Sequence, residues 1–465
     1  MVAAVAVVLY RTTLRERELV ILSTNDMHAY IDNFPRLATA VAECRDTVSC
    51  LLVDAGDRWT GNSYIDLAEG RLPIIDLMNA LGYDVAAFGN HEFDKGPTML
   101  QGAIDHATFE TICANIKSDT AALRQPRASV VKRSKNGIEV GFVAVVTNYD
   151  NGHPDGDTRR YERLTFSNPT ESATAAAAEI EGADVKVLLS HLAHAKDMEY
   201  AEQGNLPFDL IIGGHSHTVA DTLVCGTVIG QTGRRLANVG ATRIRMRGNK
   251  VVEISYENIP LSNYAEEASV AKMVEKIKQN PYLNEAVGSI TNPTTRVGFA
   301  NLETEVLKRV TGADLAFYHY GGIRIANREA GVVSRATLYD LEPFESKIVL
   351  REMTLSQLQA LIKEKYNDTG NTKESHRIDL YCSEPYDIYT DAAGEAVKVT
   401  FPTLRAGRKY RVAMPDYVSK KYPTLESGVA VDSDLLVLDC LIEYVERHSP
   451  VTTDNRVRQR IIPSR

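Results

Sequence analysis

The chain lacks several features that would point to other protein classes. None of its six cysteines (Cys44, Cys50, Cys113, Cys225, Cys382 and Cys440) sits in a Cys-x-x-Cys pair, which argues against a thiolate metal site. Cys44 and Cys50 are close enough in sequence for a bridge in an oxidising compartment, with two buried thiols the equal alternative. An excess of positive charge is missing: 52 Lys and Arg against 61 Asp and Glu give a formal net charge of −9, so neither a nucleic-acid polymer nor an anionic membrane is expected as main partner. A small nucleotide stays open, because local cations can hold its phosphates. No low-complexity tract interrupts the sequence, and no apolar run is long enough for a stable membrane span. The nearest candidate, Val2 to Leu9 followed by Arg11, Arg15 and Arg17, is too short for a bilayer and lacks the basic start of a complete export signal. It reads as the remnant of a truncated signal, predicting a periplasmic or secreted protein; a frayed tail on a cytoplasmic protein is the bland alternative.

What is present is a large globular core. With 465 residues, 44% of them hydrophobic and 24% charged, two or three domains are expected. Apolar runs at Leu19–Ser23, Cys50–Asp54, Val85–Gly89, Val140–Val146, Val185–Ser190 and Leu210–Gly214 read as buried strands. Helical patterns at Phe34–Glu43, Pro73–Leu81 and Glu171–Glu181 lie between several of them. This predicts a layered α/β sandwich domain over 18–262 after a leader at 1–17. A connecting helix follows at 263–287, with Ala and Val at helical spacing between Asn263 and Asn284, and then a second α/β (α+β) domain over 288–465.

Five short motifs stand just past the ends of these strands: Asp26-x-His28, Gly56-Asp57, Gly89-Asn90-His91-Glu92, Ser190-His191 and Gly214-His215-Ser216-His217. Open α/β sheets gather ligands at that edge, so residues far apart in sequence converge there. Seven of these side chains are oxygen or imidazole ligands, enough for two divalent cations. Such a pair, about 3.5–4 Å apart, clamps a phosphate and activates a water, and it needs an anionic bridge. Asp57 supplies that bridge with its two oxygens, and the preceding glycine lets the backbone turn tightly. Asp26 and His28, on an extended segment, point to the same side and reach one cation. His215 and His217 have the same spacing, but on a loop each can serve a different cation. Asn90 adds a neutral carbonyl oxygen and His191 completes the second shell. Imidazole and oxygen without thiolate suits Zn, Mn, Fe, Co or Ni.

His91, next to a ligand, is expected to point toward the phosphate, with Asp94 at the start of the following helix orienting it and keeping it protonated. The imidazolium would stabilise charge on the transferring group and protonate the leaving oxygen. Any one motif alone has an ordinary explanation, since Asp-x-His occurs on many surfaces. Together they hold five of the eleven histidines, which random placement would rarely give. His194 is expected to face solvent on the helix after His191, and His106, His153, His376 and His448 have no motif context.

The ordered motifs, extended to Thr24-Asn25-Asp26-Met27-His28, Asp54-Ala55-Gly56-Asp57, Gly89 to Asp94 and Gly213 to Thr218, resemble those of the 5'-nucleotidase/UDP-sugar hydrolase/2',3'-cyclic phosphodiesterase family of calcineurin-like metallophosphoesterases. Gly312 to Ala316, Gly321-Gly322-Ile323-Arg324, Tyr339-Asp340 and Glu342-Pro343-Phe344 resemble that family's substrate-binding domain. The resemblance implies one metal on Asp26, His28, Asp57 and His217, the other on Asp57, Asn90, His191 and His215, and His91 with Asp94 as the catalytic dyad. His217 stands where several relatives have Gln. The resemblance further implies that Arg324 binds substrate phosphate or nearby oxygens and that Phe344 and Tyr417 stack on a base; Arg296 lies one position from another family arginine. His319-Tyr320 replaces the family's Asn-Gly, and Val418 to Pro423 replaces its Gly-Gly-Asp-Gly stretch, so base recognition is expected to depart from the family's.

The reading is a two-domain, dinuclear metal-dependent hydrolase of small phosphoesters, with a nucleoside 5'-monophosphate as the expected substrate; monomer and dimer are both compatible. Nucleotide-sugar pyrophosphatase, 2',3'-cyclic nucleotide phosphodiesterase and thiosulfate-ester hydrolase are the rival reactions. A non-catalytic surface binding protein is the rival from another class.

Overall fold

The structure, a computed structural model, describes residues 16–149, 152–368, 377–425 and 429–463. The Val2–Leu9 run, His376 and all but the last two positions of the expected leader lie outside the described residues. The chain divides into two compact units: the first ends at Lys278, and the second begins at Gln279 and also takes the short segment Gly61–Tyr64. That division falls inside the expected connector, which is two helices, Ala268–Ile277 and Pro281–Asn284. Pro281 has no amide hydrogen to continue a helix and opens a new one instead.

The first unit is built on twelve strands in two six-stranded sheets. In chain order they are β1 (Glu16–Thr24), β2 (Ser49–Asp54), β3 (Val85–Ala87), β4 (Glu110–Ile112), β5 (Ser129–Arg133) and β6 (Glu139–Val146), then β7 (Val185–His191), β8 (Leu210–Gly213), β9 (Val219–Val224), β10 (Thr227–Thr232), β11 (Asn238–Arg247) and β12 (Lys250–Pro260). One sheet runs β12-β11-β1-β2-β3-β4 and the other β9-β10-β8-β7-β6-β5. β1 to β4 are mutually parallel, as are β6, β7, β8 and β10, while antiparallel strands occupy the margins.

The period-two alternation of side chains places each strand in two cores. Leu19, Ile21, Leu51, Val53 and Val85 share one buried cluster with Val140, Phe142, Val187, Leu189, Leu210 and Ile212 of the other sheet. The alternate residues Val20, Leu22, Leu52 and Ala86 pack with Phe34, Leu37 and Leu77 from helices Phe34–Thr47 and Leu72–Leu81. On the far side Val143, Val145, Leu188 and Ile211 pack with Ala173 and Tyr200 from helices Pro169–Ala176 and His194–Ala201. The result is a helix–sheet–sheet–helix sandwich. Burial on both faces is why the central strands read as unbroken apolar runs. The hairpin of β11 and β12, absent from the predicted strands, lies at the sheet margin, where β11 alternates buried and exposed residues and β12 buries only Tyr256, so it carries no such run.

In the second unit a five-stranded sheet runs Leu380–Cys382, Leu315–His319, Lys409–Pro415, Lys347–Thr354, Ala430–Leu436. Helices Arg296–Thr311 and Val437–His448 cover one face and Leu355–Asn367 the other. All six cysteines are free, Cys44 and Cys50 lying side by side as thiols. His194 is half-buried rather than solvent-facing, because it opens the helix His194–Ala201 with Nε2 3.3 Å from the Thr222 hydroxyl of β9.

Candidate metal centre

The loops that leave β1, β2, β3 and β8, together with the last residue of β7, meet at one edge of the sandwich. Asp26 N–H donates to the Gly56 carbonyl and His28 N–H to that of Asp57, each at 2.9 Å. His215 N–H donates to Asp26 Oδ2 at 2.9 Å, and His91 N–H to Asp57 Oδ1 at 2.9 Å. Asp26 and His28 are not extended, as the sequence suggests, but left-handed, with φ of 49° and 48°; Asp57, His215 and His217 are left-handed too, at 59°, 77° and 57°. That conformation costs a side-chain-bearing residue about 1–3 kcal/mol. The cross-loop hydrogen bonds hold it, and it turns five donor side chains inward. Gly89 is required by the crowding: a Cβ there would lie 2.2 Å from Asp57 Oδ1 and 2.7 Å from His191 Cε1.

Two donor groups result. In the first, His28 Nε2 and His217 Nε2 are 2.8 Å apart, with Asp26 Oδ1 3.4 Å from His217 Nε2 and 3.9 Å from His28 Nε2. In the second, Asp57 Oδ2 lies 3.2 Å from His191 Nε2, and His215 Nδ1 lies 3.0 Å from Asn90 Oδ1. Asp57 Oδ2 is also 3.9 Å from His28 Nε2. One oxygen of Asp57 therefore faces both groups, rather than each oxygen facing one, because its other oxygen accepts the His91 N–H. Asp26, His28, Asp57 and His191 are all at most 2% exposed.

The donor chemistry fits divalent cations. His191 Nδ1 donates to the Ala55 carbonyl at 2.8 Å, which turns the buried Nε2 toward the Asp57 carboxylate at 3.2 Å, where it can carry a proton or ligate a cation. Burial would lower the His191 imidazole, yet the Asp57 carboxylate pushes it up to about 10. Burial likewise works to raise Asp57, but His191, His91 and His28 hold it well below the usual carboxylate range; against the same effect of burial, His217 lowers Asp26. Anionic oxygens and inward-facing imidazole nitrogens in a buried pocket call for positive charge between them, supplied by protons or by cations that displace them.

His91 Nδ1 lies 2.8 Å from Asp94 Oδ2, the same oxygen that accepts the Thr60 hydroxyl. Burial would raise Asp94, but the His91 imidazole and its hydrogen bond keep it below the ordinary value. Asp94 follows the 3₁₀ turn His91–Phe93, and the next helix begins only at Pro97.

Several supporting residues carry no predicted role. Glu92, fully buried, accepts backbone N–H groups from Asp57 and Arg58 at 2.9 Å each and from Gly89, so one carboxylate ties the β2 loop to the β3 loop. Arg58, 1% exposed, lies between Asp54 at 3.3 Å and Glu92 at 3.5 Å. Asn25 Oδ1 accepts Thr232 N–H at 2.8 Å, bracing the β1 loop from β10. Glu92 and Asn25 sit inside quoted motifs and Arg58 directly follows one; a polar or charged residue next to a ligand was the available signal.

The four substrate candidates lie in the second unit. The Arg324 guanidinium is 5.6 Å from the Phe344 ring centre, and the Tyr417 ring is 4.9 Å from that of His319. Arg296 is turned to the backbone of the Tyr320–Ile323 turn: its guanidinium donates to the Tyr320 carbonyl at 3.1 Å and to that of Ile323, and lies 4.3 Å from the Tyr320 ring. Among the described residues no helix is long and apolar enough to cross a membrane.

Residues 19–219 match the family model described as calcineurin-like phosphoesterase, and residues 276–425 match that of the 5'-nucleotidase C-terminal domain. The chain is 25% identical over 519 residues to Protein UshA of Yersinia enterocolitica, an alignment covering 93% of this chain and 92% of that protein. It is 26% identical to the trifunctional nucleotide phosphoesterase YfkN of Bacillus subtilis over 78% of its own length, but spans only 30% of that longer protein. The fold superposes on the crystal structure of a 5'-nucleotidase precursor from Thermus thermophilus with a TM-score of 0.82 at 20% identity, covering 96% of this chain and 99% of that one.

Proposed function

Given that the chain belongs to the metal-dependent phosphoester hydrolases that join a calcineurin-like phosphoesterase domain to a 5'-nucleotidase C-terminal domain, we propose that it releases inorganic phosphate from nucleoside 5'-monophosphates or similar phosphomonoesters. The observation that carries this reading is Asp57 Oδ2, facing both donor groups at once. We assign one divalent cation to Asp26, His28, Asp57 and His217 and a second to Asp57, Asn90, His191 and His215. Drawn from Zn, Mn, Fe, Co or Ni, the pair when bound supplies a clamp for the phosphate and an activated water.

The protein's own groups do the rest. Asp94 holds His91 Nδ1, fixing the ring and assigning Nε2 to the substrate side, where a protonated imidazole offsets charge on the phosphoryl oxygens and delivers a proton to the leaving group. Buried carboxylates and the sandwich behind them keep bulk water from screening these charges. In the second unit Arg324 binds phosphate or sugar oxygens, while Phe344 and Tyr417 offer faces for a base. Arg296, occupied with the Tyr320–Ile323 turn, is assigned to holding that turn. His319, beside Tyr417, stands where the family's amide contacts the base and changes the hydrogen bonds offered there. We place the protein in the periplasm or outside the cell, a reading that rests on the apolar Val2–Leu9 run and is checked by mass spectrometry of the mature N-terminus.

The test is phosphate release by the Mn²⁺- or Zn²⁺-loaded protein from AMP, UDP-glucose, 2',3'-cyclic AMP and p-nitrophenyl phosphate, with products identified. AMP should be hydrolysed to adenosine and phosphate. No turnover of any of the four would overturn the proposal in favour of thiosulfate-ester hydrolysis or binding alone.

A further inference from the structure

Asp155 belongs to none of the motifs, yet it touches two of the residues assigned to the second cation. Its Oδ2 is 3.4 Å from His215 Nε2, and its backbone carbonyl accepts a hydrogen bond from Asn90 Nδ2 at 3.1 Å. Each contact settles a choice that the ligand itself leaves open. A histidine can present either nitrogen, and an ionised acceptor at Nε2 favours the proton there, which puts the lone pair on Nδ1. An asparagine can present oxygen or NH₂, and a carbonyl receiving the NH₂ leaves Oδ1 on the opposite side. The two atoms so selected, His215 Nδ1 and Asn90 Oδ1, face each other at 3.0 Å. With the proton on Nε2 both are acceptors, an arrangement that is unfavourable unless a cation lies between them.

The loop that carries Asp155 is anchored to the metal motif. His153 stacks on Tyr161 with ring centres 5.4 Å apart and 9° between planes, and Tyr161, 3% exposed, packs edge-on to Phe93 at 5.7 Å. Phe93 ends the 3₁₀ turn that begins at His91. Asp157 accepts the Arg159 N–H at 3.1 Å and starts the turn Thr158–Tyr161. Gly156 leaves room for this packing, since a Cβ there would meet the Tyr161 hydroxyl at 2.4 Å.

We propose that Asp155 is a positioning residue that fixes the metal-facing atoms of Asn90 and His215 together, and so sets the affinity of the second cation while leaving the first alone. This rests on the dinuclear reading above. The test is Mn²⁺ titration of metal-free protein by calorimetry, with phosphate release from AMP followed as Mn²⁺ is raised. Asp155→Ala should weaken the second binding event by about 10–100-fold, keep the first, and recover turnover at correspondingly higher Mn²⁺. Asp155→Asn, which keeps an acceptor of the same reach, should retain more of the affinity than Asp155→Ala. Gly156→Ala keeps the carboxylate but pushes the loop off Tyr161, and should weaken the same event. If the parent binds two cations and Asp155→Ala binds both as tightly, the positioning role is wrong. If the parent binds fewer than two, the dinuclear reading fails and takes this assignment with it.

Discussion

The substitution Glu92→Gln removes one negative charge from the fully buried carboxylate that joins the β2 and β3 loops. Glu92 Oε2 takes the N–H groups of Asp57 and Gly89, and Oε1 takes that of Arg58. A glutamine has one carbonyl oxygen, so even its better orientation keeps two of these bonds and turns an NH₂ toward the third donor. An orphaned buried donor costs about 1–3 kcal/mol. Arg58 also loses an anion 3.5 Å from its Nε and keeps only Asp54 at 3.3 Å; breaking a buried pair outright costs about 3–5 kcal/mol. Part of this returns through Asp54, whose carboxyl burial pushes up to about 7 against the help of Arg58 and with a further push from Glu92, which the substitution removes. A net loss of about 2–4 kcal/mol follows. The chain's only tryptophan, Trp59, is 1% exposed and adjoins Arg58, so its fluorescence reports the first unit specifically. With a urea slope of about 3 kcal/mol/M, the unfolding midpoint of metal-free protein should fall by about 1 M. Because the same carboxylate aligns Asp57 with the Asn90 loop, bound metal should fall as well. A midpoint within about 0.2 M of the parent, together with unchanged metal content, refutes the assignment of Glu92 as the tie between the loops.

Three other outcomes are expected. His91→Asn should lower turnover of AMP by about 10²–10⁴-fold with metal content unchanged by mass spectrometry, and loss of both together contradicts its separation from the ligands. Phe344→Ala or Tyr417→Ala should raise KM for AMP and leave p-nitrophenyl phosphate nearly untouched; equal effects on both substrates exclude a base-stacking role. Glu303, in helix Arg296–Thr311, is fully buried with neither carboxylate oxygen hydrogen-bonded; burial first, and then Glu342, raise it well above the ordinary glutamate value against the pull of Arg296. Between the ordinary and the raised value the folded state holds a proton that the unfolded state has lost, so stability falls by up to about 1.4 kcal/mol per pH unit as pH rises through that window. Glu303→Leu should therefore raise the melting temperature, and by more at pH 8 than at pH 5; an equal gain at both pH values shows that Glu303 is not the titrating group.

The central strands were legible because they are buried on both faces and their runs of Val, Ile and Leu need no periodic reading. Leu19–Ser23 against β1, Cys50–Asp54 against β2 and Val140–Val146 against β6 differ by only a few terminal residues. The β11–β12 hairpin was not legible, since marginal strands rich in Arg and Glu look like polar connection until a partner strand is known. The buried Glu303 was hidden for a related reason: composition counts it as surface charge, and only the packed helix shows otherwise.

At the candidate metal centre, the identity and order of the candidate donors belong to the one-dimensional chain, because imidazole and carboxylate chemistry is carried by residue type and strand-end spacing brings the loops to a common edge. The left-handed turns at Asp26, His28 and Asp57, the single shared oxygen of Asp57, and the loop placing Asp155 against His215 and Asn90 belong to the folded chain alone. Dihedral angles, tautomers and amide orientations are selected by neighbours more than a hundred residues away in several cases, as with His191 and Ala55, and only packing supplies those neighbours.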